Sequence, residues 1–196
     1  GRVLIDLLCE ANPGLQRMVA AGVTADLEGE PTSRVEVQPT RVADLPKHGP
    51  VDVIVAIDAL DRAADLGSLV KAFEQSLAPG GVLFATVPVA SGFEIQALWE
   101  RSTSVLPPDK LNLPSVQGLT LLFAAPTWDL LELSTPGMFD VELVRRAILK
   151  APDAPWPRVV RELVEGTDTV GRTALVELLQ SQRKASFARL VARKRI

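Results

Sequence analysis

The sequence predicts an α/β domain in which helices cover both faces of a mostly parallel sheet. Segments typical of strands and helices alternate through the first two thirds of the 196 residues. The clearest stretch, residues 51–88, contains a buried strand, an acidic turn, an amphipathic helix, a Pro-Gly-Gly turn and a second buried strand. An apolar segment at 186–192 is expected to return antiparallel, which completes a seven-stranded mixed sheet.

The first third is predicted to contain three short strands and one helix. They are residues 2–8 (strand one), 14–21 (helix), 23–27 (strand two) and 34–38 (strand three). Pro13 suits the first turn of the helix, and Gly22 suits its end. The connection at 28–33 is shorter than a helical crossover, so we expect a loop or a single turn there.

The central part carries stronger signals. Strands are predicted at 51–57, 82–87 and 128–133, and helices at 65–77, 93–101 and 115–124, with a proline-rich loop over 102–114. In the helix at 65–77, Leu66, Leu69, Val70 and Phe73 recur at helical spacing, so one face is expected to pack on the sheet.

Three further helices are predicted between strand six and the last strand. They cover residues 141–149, 158–165 and 173–181. The chain is therefore expected to be a single domain, 1–196, with a helical insertion at about 138–182. Because Gly1 lies directly before strand one, we expect a domain excised from a longer chain.

Composition excludes several classes of function. A net charge of -3 and a pI near 5.3 give no general attraction to nucleic acid or to an anionic membrane surface. No apolar run approaches the roughly 20 residues of a membrane helix. One cysteine, Cys9, excludes an internal disulfide, so a cytoplasmic location is expected.

Residues suited to acid–base chemistry are few. The chain has no tyrosine, and His48 is its only histidine. His48 lies in the segment Pro-Lys-His-Gly-Pro, which favours an exposed turn residue over a functional one. Cys9 follows a predicted buried strand, where a thiol is usually inert.

Three segments resemble a known family. The turn Leu-Ala-Pro-Gly-Gly at 77–81, the segment STPGMFDVEL at 134–143 and the closing FARLVARK resemble class I S-adenosylmethionine-dependent methyltransferases of the small-molecule type. The resemblance spans nearly the whole chain. It implies the Rossmann-like class I methyltransferase fold, and it implies S-adenosylmethionine as the cofactor.

The resemblance also indicates where that cofactor would bind. Asp6 matches the acidic residue at the end of strand one, but Leu8, Glu10 and Asn12 stand where the family's turn has glycines. Leu8 would add bulk, and Glu10 would place a negative charge near the cofactor's carboxylate. Either Asp26 or Glu28 matches the acid that binds the ribose hydroxyls, and spacing does not choose between them.

Other cofactor and substrate positions have also changed. Asp44 begins a segment that resembles the family's Asp-Leu-Pro, and counting back from it places Arg41 where an aspartate would contact the adenine amine. If the cofactor binds, backbone around Asp44 and Asp58 would contact it. Two family histidines are replaced, one by Arg62 after strand four and one by Lys110 in the loop Pro-Pro-Asp-Lys-Leu-Asn.

Three functions remain open. The leading hypothesis is a non-catalytic structural or interaction module with a degenerate cofactor site, bound to a protein partner or a covalently linked domain. The alternative is an active methyltransferase whose acceptor is a small molecule. In the third, the fold binds another nucleotide or metabolite, with Arg41 or Arg62 as an anion contact.

A cluster of basic residues lies near the C-terminal end of the sequence. The cluster consists of Arg183, Lys184, Arg189, Arg193, Lys194 and Arg195. On a terminal strand such a cluster favours a solvated sheet edge over a nucleic-acid site.

Overall fold

The computed structural model describes residues 17–21, 36–105, 108–124 and 126–196. Strands are β1 Arg17–Ala21, β2 Glu36–Thr40, β3 Val51–Ile57, β4 Leu77–Pro88, β5 Trp128–Ser134 and β6 Phe187–Lys194. The α-helices are α1 Leu66–Ser76, α2 Phe93–Leu98, α3 Val116–Leu122, α4 Asp140–Lys150, α5 Arg158–Glu165 and α6 Thr169–Ser181. Two 3₁₀ helices, Val42–His48 and Trp99–Arg101, complete the regular elements of this part of the chain.

The first two strands form a small parallel sheet of their own. β1 pairs with β2 from Arg17 opposite Glu36 to Ala21 opposite Thr40. The predicted helix at 14–21 is therefore wrong, because a short apolar run such as Met-Val-Ala-Ala suits a strand as well as a helix. The predicted third strand is confirmed, shifted to Glu36–Thr40. The predicted first and second strands lie outside the described residues.

The larger sheet has four strands in the order β3-β4-β6-β5. β3 and β4 are parallel, and β6 is antiparallel to both of its neighbours. The antiparallel last strand is thus confirmed. The described residues form two sheets, of two and four strands, and not the single seven-stranded sheet that the sequence predicted.

Helix α1 and the turn after it follow closely from the sequence. The Asp65 carboxylate caps the helix by accepting hydrogen bonds from Gly67 N (3.0 Å) and Ser68 Oγ (2.5 Å). After Leu77 the pairing with β3 jumps to Val82, so residues 78–81, where the sequence predicted a turn, form an irregularity at the start of β4. Gly80 adopts a φ of 79° there, a left-handed conformation that glycine takes without a steric penalty.

Two apolar cores hold the described elements together. The first lies between the four-stranded sheet and its helices, and alternate β6 residues Ala188, Leu190 and Ala192 are fully buried in it. The second joins α2 to the helices that follow β5, through residues such as Leu98, Val144 and Val164. The predicted insertion of three helices before the last strand is confirmed as α4, α5 and α6.

Among the described helices, none combines the length and the apolar character that crossing a bilayer requires.

Candidate functional site

A cavity of about 550 Å³ opens at the carboxyl ends of β3 and β4. Asp58 directly follows β3, and Pro88 is the last residue of β4; both line the cavity. The start of α4 and the first residue of β6 line it from the other side. In open α/β sheets, ligands bind in the crevice beyond the carboxyl ends of the strands, so this cavity is the candidate site.

Apolar side chains form much of the cavity lining. They come from the segment before α4, from α4 itself and from β6: Met138, Phe139, Leu143 and Phe187. Met138 and Phe139 are 63% and 70% exposed, which is unusual for large apolar residues. A site of this composition suits an organic molecule with an apolar body.

A buried network joins the three elements around the cavity. Asp140 Oδ1 accepts hydrogen bonds from Ser186 N (2.7 Å) and from Glu94 N (3.2 Å). Ser186 Oγ accepts from Glu94 N (2.9 Å) and from Ile95 N (3.3 Å). Asp140, at the start of α4, therefore fixes the start of α2 and the start of β6 at one point.

Glu94 is a buried carboxyl group in this cavity, only 1% exposed. Its Oε1 accepts a hydrogen bond from Ser102 Oγ at 2.7 Å, and its Oε2 has no hydrogen-bond partner among the described residues. Burial raises the pKa of Glu94; the hydroxyls of Ser102 and Ser104 oppose this effect, and the nearby Asp140 adds to it. Sequence reasoning missed Glu94, because a single acid in a predicted helix carries no motif.

Asp58 occupies the turn where β3 ends. Its φ of 49° is in the left-handed region, which aspartate tolerates better than most residues with a side chain. Its backbone N–H donates to Thr86 O at 3.2 Å, across the β3–β4 pair. The structure thus places this predicted site residue at the cavity, with its amide already used within the fold.

Two ion pairs join the segment after β3 to the loop before α3. Arg62 Nε and Nη2 each donate to a different carboxylate oxygen of Asp109, both at 3.0 Å. Lys110 Nζ donates to Asp61 Oδ2, and Asp61 is fully buried. The residues that replace the two family histidines therefore each bind an acid on the opposite segment.

Backbone bonds reinforce this connection. Asp61 O accepts from Leu111 N (2.7 Å) and from Asn112 N (2.9 Å). The Asn112 side chain donates to the carbonyls of Leu60 (3.2 Å) and Ala63 (2.5 Å). The loop residues 109–112 are consequently attached along 60–63. The opposite charges at 61 and 110, and at 62 and 109, were the sequence signal that could have revealed it.

The remaining predicted cofactor residues are not brought together here. Asp6, Asp26 and Glu28 lie outside the described residues. Asp44 lies in the first 3₁₀ helix, where its two carboxylate oxygens contact Lys47 Nζ (2.6 Å) and Arg41 Nε (2.7 Å), and these bonds lower the pKa of Asp44. Within the described part of the chain, no hydrogen bond or ion pair joins Asp44 to Asp58.

The sequence predicted an exposed turn position for His48 and an inert thiol for Cys9. His48 ends the same 3₁₀ helix and is half-buried, so the expected exposed turn residue is wrong. Cys9 lies outside the described residues.

No group of three acidic, histidine or cysteine side chains suited to a metal ion occurs in the described ranges.

The basic end of the chain does not form a sheet edge. β6 lies between β4 and β5, so the predicted solvated edge is wrong. Arg189 pairs with Glu132, and Arg193 and Arg195 both pair with Asp129 on the neighbouring strand. These cations are balanced within the fold.

Solved structures share this architecture at low sequence identity. A chain from the complex between the Haloferax volcanii Trm112 methyltransferase activator and a methyltransferase aligns with 100% of this chain and 80% of its own, at 14% identity and a TM-score of 0.61. The [4+2]-cyclase SpnF aligns with 98% of this chain and 81% of its own, at 16% identity and a TM-score of 0.53. Coclaurine N-methyltransferase aligns with 98% of this chain and 70% of its own, at 11% identity and a TM-score of 0.50.

Sequence comparison gives the family. No curated protein matches the chain. The family model described as "Methyltransferase domain" matches residues 3–133, about two thirds of the sequence. The α/β architecture, the antiparallel last strand and the cavity at the strand ends agree with that match. The chain belongs to the methyltransferase domain family.

Proposed function

We propose that this chain is a methyltransferase-like domain, residues 1–196, that has lost methyl transfer and acts as a structural or interaction module. The observation that carries the proposal is the presence of two ion pairs, Lys110–Asp61 and Arg62–Asp109. They occupy the two positions where the resembling enzymes have histidine.

The chemistry of these ion pairs argues against proton transfer there. A lysine ammonium and an arginine guanidinium are donors only, whereas a neutral histidine also offers an acceptor nitrogen. The hydrogen bonds that Arg62 donates to the Asp109 carboxylate raise the pKa of Arg62 further. Both replacements therefore connect two segments and leave no base at either position.

The residues at the cofactor positions also support the loss of methyl transfer. Leu8, Glu10 and Asn12 replace glycines, and Arg41 replaces the aspartate expected near adenine. The Asp44 carboxylate is bound by two cations, and its backbone N–H donates to Arg41 O at 2.9 Å. Asp6 and either Asp26 or Glu28 are the remaining candidates for contacts with S-adenosylmethionine.

One structural relative carries an activity other than methyl transfer, and another is bound to a protein partner. SpnF is a [4+2]-cyclase, so a protein of this architecture carries a different activity. The Haloferax complex pairs a methyltransferase with an activator protein. From these relatives we take only the kind of partner that we propose for this chain, which is a second protein or a domain covalently linked to it. We propose the cytoplasm as its location.

Calorimetric titration with S-adenosylmethionine and S-adenosylhomocysteine tests the proposal. We expect no heat and no thermal shift at millimolar ligand. The matched variant carries glycine at all three positions, 8, 10 and 12, in place of Leu8, Glu10 and Asn12. It should gain measurable affinity for S-adenosylmethionine if those side chains obstruct the site. Stoichiometric binding to the unmodified chain at micromolar ligand would overturn the proposal.

An active methyltransferase with a small-molecule acceptor remains the second candidate. The cavity beside Asp58 favours it, because it lies where an acceptor would bind in an α/β fold. An enzyme that only positions a reactive acceptor needs no histidine. Formation of S-adenosylhomocysteine from S-adenosylmethionine with any small acceptor would establish this function in place of the first.

A further inference from the structure

We infer that the cavity at the ends of β3 and β4 binds a small organic cation, an amine with an apolar body, and that Glu94 is the acceptor for its ammonium group. The inference goes beyond the proposed function. It requires neither S-adenosylmethionine nor methyl transfer.

The charges around the cavity favour a cation. Among the described residues, three carboxyl groups line it, those of Asp58, Glu94 and Asp140, against one basic group, Lys110. The Lys110 ammonium is already paired with the buried Asp61. The described lining contains no arginine, so it offers an anionic ligand no guanidinium.

The unpartnered oxygen of Glu94 identifies the contact. A buried polar atom without a hydrogen bond is costly, and buried side-chain oxygens nearly always have a partner. Glu94 Oε2 has none in the described residues, although Oε1 and the backbone N–H of the same residue are both bonded. An ammonium N–H from a ligand would supply the missing donor.

The rest of the cavity suits the body of such a ligand. Met138, Leu143 and the rings of Phe139 and Phe187 provide an apolar wall next to the acidic groups. Aromatic faces also attract cations, most strongly where water is excluded. A volume of about 550 Å³ accommodates a molecule with one aromatic ring.

The experiment measures binding of matched probes to the purified chain. 2-Phenylethylamine is the cationic probe, and 2-phenylethanol is the neutral probe of similar size and shape. Calorimetry and thermal shift should show the amine binding about tenfold more tightly than the alcohol or better, as expected for a charged hydrogen bond to a buried acceptor. Equal affinities, or no binding of either probe, would overturn the inference.

Substitutions then test whether Glu94 is the acceptor for the ammonium group. Glu94→Gln keeps the shape and the bond to Ser102, and it should remove the preference for the amine while leaving alcohol binding unchanged. Glu100→Gln, at an exposed acid outside the cavity, is the matched control and should keep the preference. A Glu94→Gln variant that still prefers the amine would show that Glu94 is not the acceptor.

A measurement on the unmodified chain covers the case in which Glu94→Gln does not fold. The amine-to-alcohol affinity ratio should fall on acidification, as Glu94 becomes protonated at a higher pH than an exposed glutamate. Asp58, Asp140 and Lys110 also line the cavity, and Lys110 is paired with Asp61. A ratio independent of pH would contradict the inference. Because these titrations contain no S-adenosylmethionine, their outcome is separate from the test of the proposed function.

Discussion

Gly92 and Ser186 approach each other so closely that a Cβ added to Gly92 would lie 2.1 Å from the Ser186 Cα. The turn from β4 into α2 packs here against the start of β6. Val89 N donates to Ser186 O at 2.9 Å, and Phe93 N donates to Lys184 O at 2.6 Å. Backbone lies against backbone, so no flexible side chain is available to move aside.

We therefore expect Gly92→Ala to destabilise the domain by at least about 3 kcal/mol, the upper range for overpacking, because relief requires a shift of the backbone. Gly67→Ala is the control, since a Cβ there meets only Asp65 Oδ1 at 3.4 Å, an ordinary contact. It should be neutral or slightly stabilising. Urea unfolding of both variants measures the difference, and equal midpoints would contradict the packing described.

The Lys110–Asp61 pair should contribute far more than the Arg62–Asp109 pair. Lys110→Met leaves the fully buried Asp61 carboxylate without its cation, and we expect a loss of about 3–5 kcal/mol in the free energy of unfolding. Arg62→Gln breaks an exposed pair and should change stability much less. Adding Asp61→Asn to Lys110→Met should recover part of the loss. Failure of the double variant to recover would indicate that lost packing, and not the unpaired charge, dominates.

Asp140 should be essential for joining α4 to α2 and β6. Asp140→Leu leaves the buried N–H of Ser186 without its acceptor, at about 1–3 kcal/mol for one unsatisfied group, whereas the N–H of Glu94 keeps its bond to Ser186 Oγ. Asp140→Asn keeps an oxygen that accepts both bonds and should cost clearly less. Chemical denaturation distinguishes the two. A similar loss in both variants would mean that the negative charge matters more than the hydrogen bonds.

Stability should depend on pH through Glu94. Its folded-state pKa is raised from 4.5, so the folded state binds this proton more tightly than the unfolded state does. The contribution of Glu94 therefore falls as pH rises from about 4.5 through the raised value, and it is fully present at lower pH. Glu94→Gln removes this term, so its stability relative to the unmodified chain should increase across that window. Denaturation at a series of pH values measures this difference, and a constant difference would refute it.

The sequence predicted most elements of the larger sheet because their signals are local. Asp65 marks the start of α1, Gly80 marks the irregular segment at the start of β4, and the alternation in β6 matches its burial. The failure at 14–21 came from a five-residue segment, Arg17–Ala21, whose strand state depends on pairing with Glu36–Thr40, a contact that no local pattern reports.

The site was less predictable for the same physical reason. Asp58 could be placed by its position after a strand, but Glu94, Asp140 and Ser186 meet only because three distant elements converge. Their roles depend on burial and on hydrogen bonds between residues up to 92 positions apart, for which a single sequence gives no pattern. The resemblance singled out Arg62 and Lys110 separately, and only the fold shows that they share one ion-pair cluster.

The position of β6 between β4 and β5 has a consequence for biosynthesis. The strand that joins the two halves of the larger sheet, Phe187–Lys194, is translated after the other strands that the structure describes. Until it leaves the ribosome, β4 and β5 each expose an unpaired edge, and transiently exposed strand edges promote aggregation. Nascent chains stalled before residue 187 should therefore depend on chaperones, and release of the last strand should be the step that ends this dependence.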